Sequence, residues 1–450
     1  MLCTERNDNI YTILLLITVF TAYFGSTLSI RGLESVFAYR VFLALTTLAF
    51  FTGFLLTNRL NKSHVLYNYY VFLIIWVIWA TVSVVWAQSK MGAIRGAFLL
   101  ICNVLTIFLI SYLIDNEKNH RRLWSIFYTA FALSAVVGLW EIATTHHLPV
   151  SKMNTYIPPR PIPTAFYANP NDFAAYIVMY LPLIYAGFKY EEHNTFIKYL
   201  LCVAGVFSLL YTNSRASYIA FLLAIASACI LAVIDSANKS EFLNKKAKIK
   251  SLIMLVTVVL MLIFDSVGFG WFKNTPGNPS MIDQISNITE VDENGSTQVR
   301  VNLIKNGFKV LNEKPWQYIT GIGAGNTEMR LARYAGTTDG IVNMHNWWME
   351  MLLEYGIIIT ILFIWFYLSM IWRLFKIYIN SPTRNYKMFA EGLLLSLVVF
   401  FMASISPSSI RGMPALWIVF GQSLAFIKLY EINVKEKCDE GIGAIAHVSK

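Results

Sequence analysis

His345, Arg215 and Arg300 are the side chains whose types and positions could do chemistry. His345 closes a long polar segment and leads into an apolar run through Asn346, Trp347, Trp348, Glu350, Glu354 and Gly356. An imidazole can take a proton from a hydroxyl near neutral pH, as a general base must; an interfacial histidine beside an aromatic belt is the plainer reading. Arg215 stands alone between two apolar runs. Such an arginine is costly unless it snorkels or finds a partner, and a planar guanidinium at headgroup depth suits two phosphate oxygens at once. Arg300 lies in residues 297–312, where Val299, Leu303, Phe308 and Leu311 have roughly helical spacing and Pro315 ends the helix. A surface salt bridge is its default role. Arg411, after Ser406-Pro407-Ser408-Ser409-Ile410, and Arg160, after Pro158-Pro159, are weaker candidates of the same kind. Glu350 and Glu354 share a helical face, where the helix dipole favours first-turn acids.

Two further motifs read structurally. Gly321, Gly323 and Gly325 follow no strand of a βαβ unit, so they are expected to form a turn that allows close backbone packing. In Asn169-Pro170-Asn171-Asp172, an Asn or Asp is expected to cap the next helix, with Pro preceding it. Several chemistries lack their motifs. The sequence has no Asp-x-Asp pair for a metal-bridged nucleotide sugar, no GxxxxGK[ST], no G-x-S-x-G and no His-Glu-x-x-His. No metal and no cofactor are expected.

The elements that must position these residues are membrane spans. Of 450 residues, 56% are hydrophobic and 14% charged, against about 25% charged in soluble domains. At ~20 residues per span, apolar runs give twelve candidates, near 10–30, 36–57, 66–86, 93–114, 123–144, 172–188, 199–212, 216–234, 251–269, 350–372, 388–406 and 414–430. Open backbone groups are not tolerated in hydrocarbon, so the runs must be helices. The expected fold is therefore an all-α polytopic membrane protein with about twelve transmembrane helices and one large extracytoplasmic loop. It divides into residues 1–269 (spans one to nine), 270–349 (the loop with the catalytic residues), 350–430 (spans ten to twelve) and a cytoplasmic tail, 431–450.

Charge sets the orientation. With the N terminus in the cytoplasm, 21 of the 36 Lys and Arg fall inside and 15 outside, seven of them in the one long loop, which weighs little. Lys245, Lys246, Lys248 and Lys250 form the densest inner cluster. The net charge of +10 is thus read as an orientation signal, and no nucleic-acid partner is expected. Segment 145–171, with His146, His147 and a run of prolines, lies outside, as does the hairpin tip Asn213-Ser214-Arg215. The five cysteines, Cys3, Cys102, Cys202, Cys229 and Cys438, form no disulfide or zinc spacing. The long first apolar run after a mixed-charge start does not read as a cleavable signal.

This ordered set resembles the O-antigen ligase and O-antigen polymerase superfamily. The resemblance is carried by His345-Asn346 followed nine residues later by Gly356 and then Thr360, by Asn169-Pro170-Asn171, by Thr212-Asn213-Ser214-Arg215, and by an Arg300-headed helix before Pro315 and the glycine turn. It covers roughly residues 90–430. One departure is Val301-Asn302-Leu303 after Arg300, where the family often has a tryptophan. The resemblance implies a GT-C-like membrane glycosyltransferase of the cytoplasmic membrane with its active site on the outer face. It would act in O-antigen, teichuronic-acid or exopolysaccharide assembly. The implied donor is an undecaprenyl-diphosphate-linked glycan, and the acceptor a hydroxyl on a glycan or lipid-linked saccharide. Transfer would be inverting and metal-independent, with His345 as base, Arg215 and Arg300 on the diphosphate, and Asn346, Glu350, Arg160, Arg411 and Asn171 in support.

Two other readings make different demands. A transporter or glycan flippase predicts two similar halves, interrupted helices at mid-membrane and ionisable residues within spans, Asp265 being the nearest example of the last. A transferase using a polyprenyl monophosphate sugar would need an acid in the first outer loop, where Glu34, flanked by Arg31, is the candidate.

Overall fold

The computed structural model describes residues 2–30, 33–57, 64–237, 245–267, 280–286, 296–381 and 383–448. Arg31, Lys273, Glu290, Asp292 and Glu293, and the side chains of Cys3, Glu34 and Cys438, lie outside the described residues. Nine helices precede the large loop: α1 (Leu2–Ala22), α2 (Ala38–Thr57), α3 (Tyr67–Val82), α4 (Lys90–Leu113), α5 (Glu117–Thr144), α6 (Pro170–Tyr190), α7 (Thr195–Tyr211), α8 (Arg215–Ala237) and α9 (Lys245–Val267). The loop carries α10 (Met281–Ser286), α11 (Ser296–Asn312), α12 (Gln317–Thr320) and α13 (Thr327–Leu331). Three long helices follow: α14 (Trp347–Ile379), α15 (Arg384–Ala403) and α16 (Pro414–Val448). Among the described residues the only strands are β1 (Ser29–Ile30) and β2 (Leu33–Phe37), a short antiparallel ribbon.

The chain is a polytopic, essentially all-helical membrane protein. Among the described residues ten helices are long and apolar enough to cross a membrane, and Ile10–Ala22 and Thr195–Tyr211 are shorter apolar helices, so each of the twelve expected runs finds a helix. The first expected run is cut short, because α1 stops at Ala22 and the chain turns at Gly25, whose φ is +46°. Helices α6, α15 and α16 are buried along most of their length, whereas α2, α8 and α9 leave most of theirs uncovered. Uncovered positions are strongly apolar, with Leu55 78% and Val233 69% exposed, as a lipid-facing surface requires. Polar pairs occur inside the bundle: Tyr23 Oη donates to Tyr180 Oη at 2.9 Å, and Lys189 Nζ reaches Glu391 at 2.8 Å. Cys102 and Cys202 are buried free thiols and Cys229 is an exposed one.

The tenth run departs most from expectation. Helix α14 begins at Trp347, with the Asn346 side chain capping the Met349 N–H at 3.1 Å, and it breaks at Gly356 (φ 77°, ψ 177°). That backbone region is essentially restricted to glycine. The break frees carbonyls, and each finds a donor from elsewhere. Leu353 O accepts the Ile322 N–H at 2.8 Å, Glu354 O the Gly323 N–H at 3.1 Å, and Tyr355 O the Trp79 indole at 3.1 Å. Gly321, Gly323 and Gly325 all have positive φ. A Cβ on Gly321 would lie 2.1 Å from Glu354 O, and one on Gly325 would lie 2.3 Å from Gly92 O. The glycine run is therefore a packing turn inserted into the broken helix. Asn326 locks it to the start of α4, accepting from Ser89 N at 2.7 Å and donating to Ser89 O at 3.2 Å.

Helix α11 forms at the expected place, but its inner face differs. Val299, Leu303 and Leu311 are buried, while Phe308 is 41% exposed and Val310 fills the core position. Positions 299, 303 and 310 follow the 3.6-residue period, and 308 falls off that face.

Gly356→Ala would place a Cβ 2.1 Å from Ile319 O in a conformation closed to alanine. It is expected to destabilise the detergent-solubilised protein by about 3 kcal/mol or more. Gly336→Ala, where a Cβ meets nothing within 4 Å, should change the thermal midpoint little, by ~0.5 kcal/mol at most.

Candidate active site

The segment between α15 and α16 forms a rib on which the candidate residues hang. Ser404 O accepts the Trp347 N–H at 3.1 Å, which fixes the start of α14. Two residues before Trp347, His345 adopts φ +47°, a conformation that a non-glycine residue keeps only when its surroundings impose it. Its Nδ1 lies 3.0 Å from Ser406 O. A carbonyl can only accept, so Nδ1 carries the proton and Nε2 keeps its lone pair for an incoming hydroxyl. Burial pushes the imidazole below its ordinary pKa. The positive charges of Arg300 and Lys152 act in the same direction, opposed by the carbonyls of Ser406 and Pro407. The ring is therefore neutral, as a base must be, through the neutral pH range.

The same serine meets Arg300 and the residue that precedes Arg215. Arg300 Nη2 donates to Ser406 Oγ at 3.3 Å, and Ser406 Oγ lies 3.2 Å from Ser214 Oγ, beside Arg215 at the head of α8. Arg215 Nη1 donates to Thr297 Oγ1 at 3.1 Å, one turn before Arg300 on α11. The tip itself is sharp, with Asn213 at φ +55° and its side chain accepting from Gln284 Nε2 of α10 at 2.7 Å. Both guanidinium groups are half-buried. Burial, then the charge of Arg215, lowers the pKa of Arg300. Among the described residues neither arginine makes an ion pair with a carboxylate. Two neighbouring guanidinium groups of this kind could hold a ligand carrying two negative charges.

The other end of the rib binds the start of α6. Asn169 Nδ2 donates to Ser408 Oγ at 2.6 Å, and the Ser408 N–H donates to Asp172 at 3.1 Å. Asn169 is the cap of α6, accepting from the N–H groups of Asn171 and Asp172, and Pro170 is the first residue inside the helix rather than preceding it. The capping role thus belongs to Asn169. Asn171 enters through its backbone, because its side chain makes no hydrogen bond among the described residues.

The supporting cations and acids divide. Arg411 is buried in an ion network, with Nη2 donating to Glu350 at 2.6 Å and to Glu354 at 2.9 Å. Glu354, fully buried, also accepts the Gly325 N–H at 2.9 Å and the Thr327 hydroxyl at 2.8 Å. Glu350 and Arg411 therefore tie α14, the glycine turn and the rib together, and the two acids are not solvated. Arg160 is exposed, stacked 4.7 Å over the Tyr156 ring, and makes no bond to the cluster among the described residues. Asp265 accepts the Met281 N–H at 2.7 Å and joins α9 to α10. No group of three or more His, Cys, Asp or Glu able to hold a metal occurs among the described residues. Sequence reasoning missed Ser406, Ser408, Thr297 and Lys152; the run of serines around Pro407 between two spans was the only available signal.

Residues 200–364 match the family model described as O-antigen ligase, a stretch that contains Arg215, Arg300 and His345. Over 365 residues the chain is 25% identical to the teichuronic acid biosynthesis protein TuaE of Bacillus subtilis (strain 168), covering 80% of this chain and 71% of that protein. Both findings support an O-antigen ligase and polymerase-type family.

Removing Arg411 leaves two buried acids without their cation. Arg411→Met is expected to cost about 3–5 kcal/mol of stability, read as a fall in the thermal unfolding midpoint, with Glu350→Gln/Glu354→Gln in the same chain recovering part of it.

Proposed function

We propose that this O-antigen ligase/polymerase-type membrane protein is a glycosyltransferase that joins undecaprenyl-diphosphate-linked glycan units at the outer face of the cytoplasmic membrane. The observation that carries the reading is one serine contacted by both the imidazole and a guanidinium, with a second guanidinium alongside. In the reaction, the acceptor hydroxyl attacks the anomeric carbon of the donor and its proton passes to His345 Nε2. The bond from that carbon to the diphosphate oxygen breaks with inversion. The electron pair leaves on the diphosphate, where Arg215 and Arg300 stabilise the developing charge. The driving force is the phosphoester of the donor.

Asn346 caps α14 and Arg411 with Glu350 braces it, so both position His345 without touching substrate. Arg160 would meet the acceptor from the exposed segment 145–171. The lysine and arginine distribution supports a cluster on the outer face, where the bilayer would supply the carrier lipid. The role of the relative, teichuronic acid biosynthesis, favours assembly of a repeating polymer over transfer to a lipid core. The buried pairs Lys189–Glu391 and Lys387–Asp235 are each matched within the bundle, which favours a structural role for them over a transport path.

His345→Ala should leave the protein folded in the membrane and reduce polymer formation by about 10²–10⁴-fold, with carrier-linked units accumulating. In the wild type, activity should fall as the pH drops through the His345 pKa. Because that pKa is lowered, the acid limb should lie below the ordinary imidazole value of about 6.5. Glycan of normal length from His345→Ala would remove the general-base role.

A further inference from the structure

We propose that Lys152 is a specificity-determining residue that takes an anionic substituent, carboxylate or phosphate, of the acceptor saccharide. The inference rests on the transfer reaction above and adds the class of acceptor. Lys152 opens a short 3-10 turn, Lys152–Thr155, capped by Ser151, whose Oγ accepts the Met153 N–H at 3.1 Å. Its own N–H donates to Ala168 O at 2.8 Å. Ala168 is followed by Asn169, which grips the rib at Ser408. The whole segment is anchored to α5 by Glu141, fully buried, which accepts the N–H groups of Thr164 at 2.6 Å and Ala165 at 2.7 Å. The Lys152 backbone is thus fixed beside the site while its side chain is exposed.

Its ammonium has no hydrogen bond or ion pair among the described residues, yet its charge acts on both His345 and Asp172. Asp172, the nearby acid, is engaged by the Ser408 N–H. Arg300 and His345 both meet Ser406, while Asn169, which follows the residue that accepts the Lys152 N–H, meets Ser408 two residues on. An inverting displacement needs the attacking hydroxyl and the departing group on opposite faces of the sugar ring. With the arginines on the departing diphosphate and His345 as the base, an acceptor that enters from the Ser408 side passes Lys152. A flexible, solvated point charge suits an anion carried on a mobile glycan.

The test uses the full-length protein in nanodiscs with one donor and two acceptors, an oligosaccharide ending in a hexuronic acid and its carboxyl-reduced counterpart. The wild type should favour the acidic acceptor. Lys152→Met should raise KM for it roughly five- to tenfold, leaving KM for the reduced acceptor and for the donor unchanged, and Lys152→Arg should restore most of the preference. Calorimetric binding of the two saccharides without donor should show the same loss, whether or not transfer proceeds by the proposed chemistry. Absent transfer with acid-selective binding that Lys152→Met abolishes would count against the reaction and for the lysine. The assignment is overturned by equal effects on both acceptors, by a wild type with no preference, or by a higher donor KM, which would give Lys152 to the donor diphosphate.

Discussion

Ser406 carries the site through two different atoms. Its carbonyl holds His345 Nδ1, and its hydroxyl meets Arg300 and Ser214. These partners lie 61, 106 and 192 residues away in sequence, so one short connection between two helices brings three distant segments to a common point. The carbonyl contact also decides the chemistry of the imidazole, since it selects the tautomer with a lone pair on Nε2. Nothing else in the cluster does that.

The connection can act as a rib because it is held from beneath. Arg411, three residues after Ser408, is buried against Glu350 and Glu354. Glu354 in turn grips the glycine turn, whose N–H groups satisfy the carbonyls freed where α14 breaks at Gly356. Buried charges are expensive unless paired and hydrogen-bonded, and this network meets that condition. The contrast with the surface of the site is informative: Arg411, Lys189 and Lys387 are matched by carboxylates, whereas Arg215 and Arg300 face only hydroxyls. Two neighbouring cations that meet only hydroxyls would suit the anion that the proposed reaction brings from outside.

Much of this was legible in the sequence, and the remainder was not for definite reasons. Apolar runs read out the twelve helices because hydrocarbon forbids open backbone groups. Arg215 and His345 stood out because each lies at the edge of an apolar run, and Arg300 because it lies on a loop segment with helical spacing. The break at Gly356 was hidden, since a glycine in a long apolar run looks like any small residue until another backbone is seen 2.1 Å from its missing Cβ. Arg411 and Glu350 read as separate weak signals because their pairing spans 61 residues. Ser406 carried no signal of its own, as a serine hydroxyl and a backbone carbonyl acquire meaning only from what they touch. The Phe308 and Val310 exchange is a smaller case, in which a strict helical period would have chosen correctly.

The central claim is that the two arginines and the imidazole act on one ligand. The most direct measurement is the structure of the protein in lipid nanodiscs with undecaprenyl diphosphate bound. The account predicts phosphate oxygens within hydrogen-bond distance of both Arg215 and Arg300, with the terminal phosphate directed toward His345 Nε2. A headgroup seated elsewhere, with both guanidinium groups still facing only Thr297 and Ser406, would contradict it.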